Sequence, residues 1–177
     1  MKKFVIFFAL IAILATGTAF ADHPDGWGVG VIGFYPGGVG LSLKIPNVPV
    51  FWGISAGFGT DHIAVHATGD YYIFDNVLVS EANLHWFLGV GGWFSFYSYT
   101  GKYQSTSYSW THLAFGARVP VGLSWQPIPL LELFADIAPS FGVGITGEAK
   151  VDGYVAQKAD TGFAFYWPIE LGIRLWF

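Results

Sequence analysis

The stretch from Phe163 to Phe177 alternates strictly between two kinds of side chain. Its odd positions form an unbroken apolar and aromatic row, whereas its even positions include the opposite charges of Glu170 and Arg174. Successive side chains of an extended chain point to opposite faces, so the pattern predicts one strand with an apolar face and a mixed face. The stretch exceeds the ~5–6 residues of an ordinary soluble strand and covers the roughly 9–11 that cross a bilayer at a tilt. We therefore predict a transmembrane strand.

The same period of two recurs along the chain in segments separated by turn residues such as Pro46-Asn47-Val48-Pro49, Asp75-Asn76 and Gln126-Pro127-Ile128-Pro129. The predicted strands are Trp27–Tyr35, Val39–Ile45, Val50–Gly59, His62–Phe74, Asn83–Ser98, Trp110–Trp125, Leu130–Thr146 and Thr161–Phe177. An even number of strands puts both chain ends on one side, the periplasm. The pattern therefore predicts an all-β protein, an eight-stranded antiparallel up-and-down transmembrane β-barrel. Its outer connections at Pro36 and Thr60 are short, which predicts a lopsided rim.

Composition agrees with a barrel whose outside faces lipid. The chain is 53% hydrophobic with a mean hydropathy of +0.49, yet beyond the N-terminal stretch no apolar run approaches the ~20 residues of a membrane helix. Its 24 glycines disfavour helices. A soluble barrel such as a lipocalin would instead place the apolar rows inside and the charges outside. The net charge of −4 provides no basic patch for nucleic acid, and the absence of cysteine leaves stability to barrel closure.

The N-terminus carries the features of an export signal. Lys2 and Lys3 precede the apolar run Phe4–Leu14, and Ala19-Phe20-Ala21 forms a small-residue cleavage site. We expect residues 1–21 to be a cleaved signal peptide and residues 22–177 to form a single barrel domain. At the other end, the terminal Phe177 resembles the signal that outer-membrane barrels present to their assembly machinery through the C-terminal strand. These features predict a monomer in the lipid of a bacterial outer membrane.

Aromatic residues mark one end of the predicted apolar rows. On six of the eight strands the outward residue nearest the periplasmic end is aromatic, and amphipathic rings favour the headgroup boundary. This predicted periplasmic girdle comprises Trp27, Trp52, Tyr71, Trp86, Trp125 and Phe177.

The opposite, inward face gathers most of the predicted charges. Its ionic members are Lys44, Asp70, Arg118, Glu132, Asp136, Glu170 and Arg174, and its histidines are His62, His66 and His85. Eight-stranded barrels are just wide enough to be filled by side chains, and unpaired charges would be costly there. We therefore expect Arg118 and Arg174 to lie among Glu132, Asp136 and Glu170. Two interpretations stay open: a polar plug that closes the lumen, or a gate whose ion pairs exchange to pass small ions.

Catalysis and metal binding have weaker support. His66, Asp70 and His85 offer a base and an orienting acid, and Ser42, Ser55 and Ser95 share the inward face as candidate nucleophiles. Hydrogen-bonded lumen groups explain the same residues more simply, so we predict no enzyme activity and no catalytic residue. His62 and His66 are four residues apart, which separates them by over ~12 Å on a strand at ~3.3 Å per residue. We therefore predict neither a metal site nor a cofactor.

Two long outer loops are predicted at Tyr99–Ser109 and Gly147–Asp160. The first is rich in Tyr, Ser and Gly, which are the residues that antibody loops use for adaptable contact. Its Tyr99, Tyr103 and Tyr108 are candidates for contact with a host molecule or lipopolysaccharide, and the loop 147–160 is a second candidate site for a host or surface ligand. The alternative is a polar hairpin extension with tyrosines at the outer interface.

Several blocks of the chain resemble a known family. They are His66–Tyr72, Leu88–Gly92, Gly116–Leu123 with its Arg-Val-Pro-Val-Gly-Leu core, and Glu132–Pro139. The chain resembles small, largely uncharacterised bacterial outer-membrane proteins, including spirochaetal members, that are grouped with the OmpA and OmpX eight-stranded barrels. The family's His-Ala-Asp-Tyr pattern is interrupted here by Thr68-Gly69. The resemblance implies fold and location and carries over no catalytic residue.

Together these features predict a structural or surface-interaction role, resembling adhesion, for a barrel with a plugged lumen. A narrow ion-conducting pore is the main alternative, and a lipid-modifying outer-membrane enzyme is a more distant one.

Overall fold

The structure, a computed structural model, describes residues 24, 26–35, 38–103 and 106–177. The predicted signal peptide, residues 1–21, lies outside the described residues. The strands are β1 Gly28–Tyr35, β2 Gly38–Lys44, β3 Phe51–Phe58, β4 His62–Val79, β5 Leu84–Tyr103, β6 Thr106–Arg118, β7 Val121–Ile128, β8 Leu131–Ile137, β9 Ser140–Thr146, β10 Ala149–Val151, β11 Tyr154–Gln157, β12 Asp160–Tyr166 and β13 Ile169–Trp176. A short 3-10 turn spans Ser80–Ala82. Within the described residues, no helix has the length and hydropathy that a membrane crossing requires.

These strands build a closed antiparallel barrel with eight walls. The last three walls are each made of two strands in line, β6 with β7, β8 with β9, and β12 with β13. Each break contains a proline, namely Pro120, Pro139 or Pro168, which lacks the N–H that a ladder needs. Backbone bonds still cross the breaks, since Val119 N donates to Pro139 O and Ala138 N donates to Pro168 O, both at 3.0 Å. The prediction of an eight-stranded antiparallel barrel is therefore confirmed.

Pairing between the first and last walls closes the barrel. β1 pairs antiparallel with β13, from Gly28 opposite Trp176 to Tyr35 opposite Ile169. The lower end of the barrel is the end where Trp27 and Phe177 exchange backbone bonds of 3.1 and 2.8 Å. The upper end is the opposite one, where β5 turns into β6.

The two faces of the wall differ sharply in burial. On β13 the outward side chain of Leu171 is 61% exposed, whereas its neighbour Glu170 is 2% exposed. Arg174, four residues further along the same inward face, is also 2% exposed. The wall therefore turns apolar rows outward and buries its charges inside.

The rim is lopsided in the direction that the short outer connections predict. The β1–β2 hairpin ends at Tyr35 and Gly38, opposite Ile169 on β13. β12 continues above that level, and among the described residues it pairs with β9 alone. On the other side of the gap, β2 pairs with β3 no higher than Ser55. A notch is thus left in the wall between β12 and the upper end of β3.

Three predicted boundaries were wrong. Asp75-Asn76 is not a turn, because β4 runs on to Val79 and the chain reverses only at the 3-10 turn before Asn83. The predicted loop Tyr99–Ser109 is mostly ladder, since β5 and β6 remain paired up to Tyr103 opposite Thr106. The predicted loop Gly147–Asp160 contains the β10–β11 hairpin, and β10 pairs with β6. Neighbouring strands satisfy the backbone groups of these polar segments, so the ladder continues beyond the apolar rows.

Candidate functional site in the barrel lumen

The lower lumen contains a guanidinium surrounded by three carboxylates. Arg118, at the end of β6, points inward from the wall and is 1% exposed. Its Nε lies 3.1 Å from Asp70 Oδ1, its Nη1 donates to Glu170 Oε1 at 2.5 Å, and its Nη2 lies 3.7 Å from Asp136 Oδ1. The carboxylates come from β4, β13 and β8. One cation thus links four walls of the barrel.

A second ionic cluster lies nearer the lower end. Arg174 on β13 is directly opposite Glu132 on β8, and its Nη1 donates to Glu132 Oε2 at 2.6 Å. Glu132 also accepts from Trp176 Nε1 at 2.9 Å and from Ser124 Oγ at 2.8 Å. Arg174 Nε and Nη2 both donate to Ser42 Oγ, at 3.2 and 2.9 Å. The charges are paired and also hydrogen-bonded, which is the condition under which buried ions are tolerated.

Stacked aromatic rings fill the remaining space of the lower lumen. Phe51 stacks on Tyr72, and Tyr72 stacks on Phe87, each at 4.2 Å between ring centroids. The Arg174 guanidinium lies 4.8 Å from the Phe51 ring centroid and 4.5 Å from that of Phe134, within the range of cation–π attraction. The void beside these rings, bordered by Asp136 and Arg174, measures about 10 Å³. It offers at most the space of a single water, so the rings and ion pairs fill this part of the lower lumen.

The other predicted lumen residues lie outside these two ionic clusters. Lys44 Nζ donates to the backbone oxygen of Ile45 at 3.0 Å and lies 5.7 Å from the Phe51 ring centroid. His85 Nε2 is 3.1 Å from Asn83 Oδ1, and its Nδ1 is 3.6 Å from Asp75 Oδ1, in a buried pair at the lower end. His62 lies at the upper rim, where its half-exposed ring is 2.8 Å from Asp61 Oδ1. The prediction of His62 as a lumen residue therefore needs correction, because β4 begins at this rim.

The three residues that were considered for catalysis, His66, Asp70 and His85, lie in three different places. Asp70 belongs to the Arg118 cluster, whereas the His66 ring lies edge-on to Phe34 at 4.9 Å between centroids. His85 is at the lower end of β5, six residues from Gly91, which is the partner of Asp70. Six residues span about 20 Å of strand, so these groups do not form one triad. Among the described residues, no group of three His, Asp or Glu side chains is arranged to hold a metal ion.

Above the two ionic clusters the lumen is hollow. A cavity of about 670 Å³ lies over His66, Trp93 and Tyr166. Its inward wall positions carry small side chains, including Gly57, Ala64, Ala114, Gly144 and Ala164. Large and charged side chains thus fill the lower level of the lumen, whereas glycine and alanine leave its upper level open.

The predicted girdle residues all face outward. Trp27, Trp52, Tyr71, Trp86, Trp125 and Phe177 are each exposed on the outer surface. Tyr71 is not the last outward residue of its strand, however, because β4 continues to Val79 and places Asn76 and Val79 below it, opposite Trp86 and Leu84 on the outward face of β5. Its predicted position at the boundary was therefore wrong, and the cause is the same misplaced turn at Asp75.

The predicted surface tyrosines lie on the hairpin that rises above the rim. Tyr99 is opposite Trp110, and Tyr108 is opposite Gly101, so both tyrosines have the inward parity of their strands. Tyr97 and Trp110 pack below them with ring centroids 4.9 Å apart. Tyr103 ends β5, and its side chain lies outside the described residues. The described rings therefore form an aromatic face over the lumen mouth.

Several groups of the lower lumen were not among the predicted members of the ionic network. Asp75 was assigned to a turn, but a bulge between Tyr72 and Phe74 reverses the parity of β4 and turns Asp75 inward. Ser124 and Trp176 donate hydrogen bonds to Glu132, and Ser42, predicted on the inward face only as a candidate nucleophile, accepts from Arg174. Their inward parity was readable, and what made them important was the position of Glu132 on a neighbouring wall.

Comparison with known proteins assigns the chain to a family. No curated protein and no solved structure matches it. The family described as "Protein of unknown function (DUF3996)" matches residues 22–166, which is well over half of the chain. The chain, a closed eight-stranded β-barrel, therefore belongs to the DUF3996 family.

Proposed function

We propose that this protein is a bacterial outer-membrane barrel that acts through its outer surface. We also propose that the ion pairs and stacked rings of its lower lumen form a plug that closes it. One observation carries the membrane location, namely that fully buried ion pairs alternate along one strand with exposed apolar side chains. On β13, Glu170 and Arg174 are buried, whereas Ile169, Leu171, Ile173 and Leu175 are all exposed. In water the exposed apolar row would be unfavourable, whereas in a bilayer the same side chains contact hydrocarbon. We further propose that the barrel is of the OmpA/OmpX type.

The packing of the lower lumen favours a closed barrel over a conducting pore. An ion crossing it would have to separate the Arg174–Glu132 pair and the Arg118 cluster, whose side chains are almost fully buried. Breaking such pairs exposes charges in a confined space of low polarity. A plug of this kind supports a role in membrane integrity or surface interaction instead of transport.

The upper rim offers a surface for interaction. β5, β6, β10 and β11 form a small sheet above the barrel, joined by Lys150 opposite Ser109 and Val151 opposite Tyr108. A hydrogen bond of 2.7 Å from Ser107 N to Asp152 Oδ1 also joins β6 to the turn between β10 and β11. Tyr154, at the turn of the β10–β11 hairpin, is 80% exposed. Exposed tyrosines on a rigid frame suit contact with a partner because they lose little conformational entropy on binding.

Planar-bilayer recording tests the closed barrel. Protein refolded into a phosphatidylcholine bilayer is expected to insert without discrete current steps, because the plug fills the lumen. Arg174→Ala removes a side chain from the plug and serves as the matched variant, and insertion is checked independently by protection from protease. Steps in the folded wild-type protein that change with Arg174→Ala would replace this proposal with the pore.

Shortening of the rim sheet tests the surface role. Replacing residues 148–159 by a short Gly-Ser turn removes β10 and β11 and leaves the eight walls intact. Binding of bacteria that display the protein to a panel of host surface molecules is expected to fall to the level of bacteria without it. Tyr154→Ser, which keeps the hairpin, tests the exposed ring by itself. Undiminished binding by the shortened protein would remove the rim sheet from the proposal.

A further inference from the structure

The hollow upper lumen opens sideways through the notch in the wall. The cavity of about 670 Å³ is lined mainly by inward residues, and its lining also includes outward residues beside the notch, namely Phe163 and Phe165 on β12, Val39 on β2 and Ala56 on β3. Phe163, which is 77% exposed, stands on the β12 side of the notch, Ala56 stands on its β3 side, and Val39 lies on the hairpin below it. Because β12 pairs with β9 alone among the described residues, the wall is open between Phe163 and Ala56, and the cavity reaches the outer surface there.

The mouth lies at the level of apolar outward side chains. On β9, the neighbour of β12, Phe141, Val143 and Ile145 are exposed at the level of Phe165, Phe163 and Thr161. If the barrel lies in a membrane, as proposed above, these side chains contact hydrocarbon. A molecule that enters the notch then comes from the bilayer and not from water.

The floor of the cavity is polar and uncharged at its centre. His66 Nε2 and Trp93 Nε1 are buried and have no hydrogen-bond partner among the described residues. His66 is flanked on the neighbouring strands by Ser55 and Ser95, its direct partners in register. Buried polar atoms without partners are rare in proteins and call for a ligand or another hydrogen-bonding group.

The charges around the cavity disfavour an anion. No lysine or arginine lines its described wall, and Asp160 stands beside the mouth. Arg118, one level lower, is already held by three carboxylates. A volume of about 670 Å³ lies within the range of ~300–1,000 Å³ that is usual for small-molecule sites.

We propose that this cavity binds a single-chain lipid with an uncharged head, of the monoacylglycerol class, which enters sideways through the notch between β12 and β3. Its hydroxyls hydrogen-bond to His66 and Trp93 at the floor, and its hydrocarbon chain lies along the glycine and alanine wall towards the mouth. The proposal rests on the membrane location that we propose above.

Photo-crosslinking can separate lipid inside the barrel from lipid around it. The protein is refolded into phosphatidylcholine vesicles that contain a trace of monoacylglycerol with a diazirine on its chain, and adducts are located by mass spectrometry. Side-chain parity provides the readout, because Ala114 and His112 face inward on β6, whereas Leu113 and Phe115 face outward. Adducts at both sets of positions are expected.

Two substitutions on β6 provide the matched pair. Ala114→Phe fills the cavity and is expected to reduce the inward adducts to the level seen without irradiation, with outward adducts unchanged. Ala117→Phe adds the same ring to the lipid-facing side and is expected to change neither set. Because Ala114→Phe can also impair folding, Ala64→Phe fills the cavity from β4, and the gel shift of the unheated barrel confirms folding of each variant.

The polar floor has its own test. Trp93→Phe removes the Nε1–H and is expected to lower the inward yield of the monoacylglycerol but not that of an alkane with the same diazirine. Outward adducts alone would overturn lipid binding in the cavity and leave the membrane barrel in place. The absence of adducts at both sets of positions would overturn the membrane barrel itself, and the lipid site with it.

Discussion

Arg174 and Glu132 face each other across neighbouring strands at the lower end of the barrel, with Arg174 Nη1 2.6 Å from Glu132 Oε2 and both side chains almost fully buried. Glu132→Gln keeps the shape of the side chain and removes the charge that neutralises Arg174. Removing one member of a buried pair costs about 3–5 kcal/mol. We expect a loss of this size in the free energy of unfolding, measured by urea titration of the refolded protein.

The exposed pair of Lys150 and Glu148, at 3.6 Å on the rim, provides the control for this prediction. Glu148→Gln is expected to change the free energy of unfolding by less than about 1 kcal/mol, because water screens the interaction. The double variant Glu132→Gln with Arg174→Met is expected to lose less free energy of unfolding than the two single variants lose in sum, since neither charge is left alone. Additive losses would contradict the pairing.

The three carboxylates around Arg118 predict that one substitution, Asp136→Asn, changes stability in opposite directions with and without Arg118. In Arg118→Met, Asp70, Asp136 and Glu170 lose their shared cation and repel one another. Adding Asp136→Asn to Arg118→Met is then expected to raise the urea midpoint, whereas Asp136→Asn in the wild-type protein is expected to lower it. The same direction of change in both backgrounds would show that Arg118 does not hold the carboxylates together.

The outward row of β13 predicts a strong penalty for a charge in the bilayer. Leu171→Arg is expected to cost about 2–4 kcal/mol of stability in lipid vesicles if Leu171 lies near the bilayer midplane, whereas an outer position costs about 0–1 kcal/mol. Gln157→Arg, exposed on β11 above the barrel, is the control. Equal tolerance of both changes would indicate that the outer surface contacts water.

Close packing between β6 and β9 predicts a requirement for glycine. Gly116 and Gly142 are paired, and a Cβ on Gly142 would collide with the backbone of Phe115 and Gly116. Gly142→Ala is therefore expected to destabilise the barrel by about 1–3 kcal/mol, the usual cost of overpacking. Gly162→Ala on the neighbouring β12, where a Cβ has nothing within 4 Å, is expected to be neutral. Thermal unfolding of both variants checks the difference.

Alternation along single strands was sufficient for the barrel class and for the face on which most side chains lie. Glu170 and Arg174 differ in position from Leu171 and Ile173 by odd numbers, and in an extended chain this alone puts them on the opposite side of the wall. The reasoning failed where the period itself breaks. The bulge after Tyr72 moves Asp75 inward, and no residue at that point of the sequence announces it.

The sequence by itself determined the eight walls, the apolar outside and the charged inside, because each of these depends only on neighbours along one strand. Tertiary structure alone decided that Glu132 meets Arg174 and that Arg118 gathers three carboxylates, since the register between walls is set when all eight close together. It also decided the notch and the cavity. These arise because the β1–β2 hairpin stops at Tyr35 while β12 continues upward, a difference in height that exists only once β1 is paired with β13.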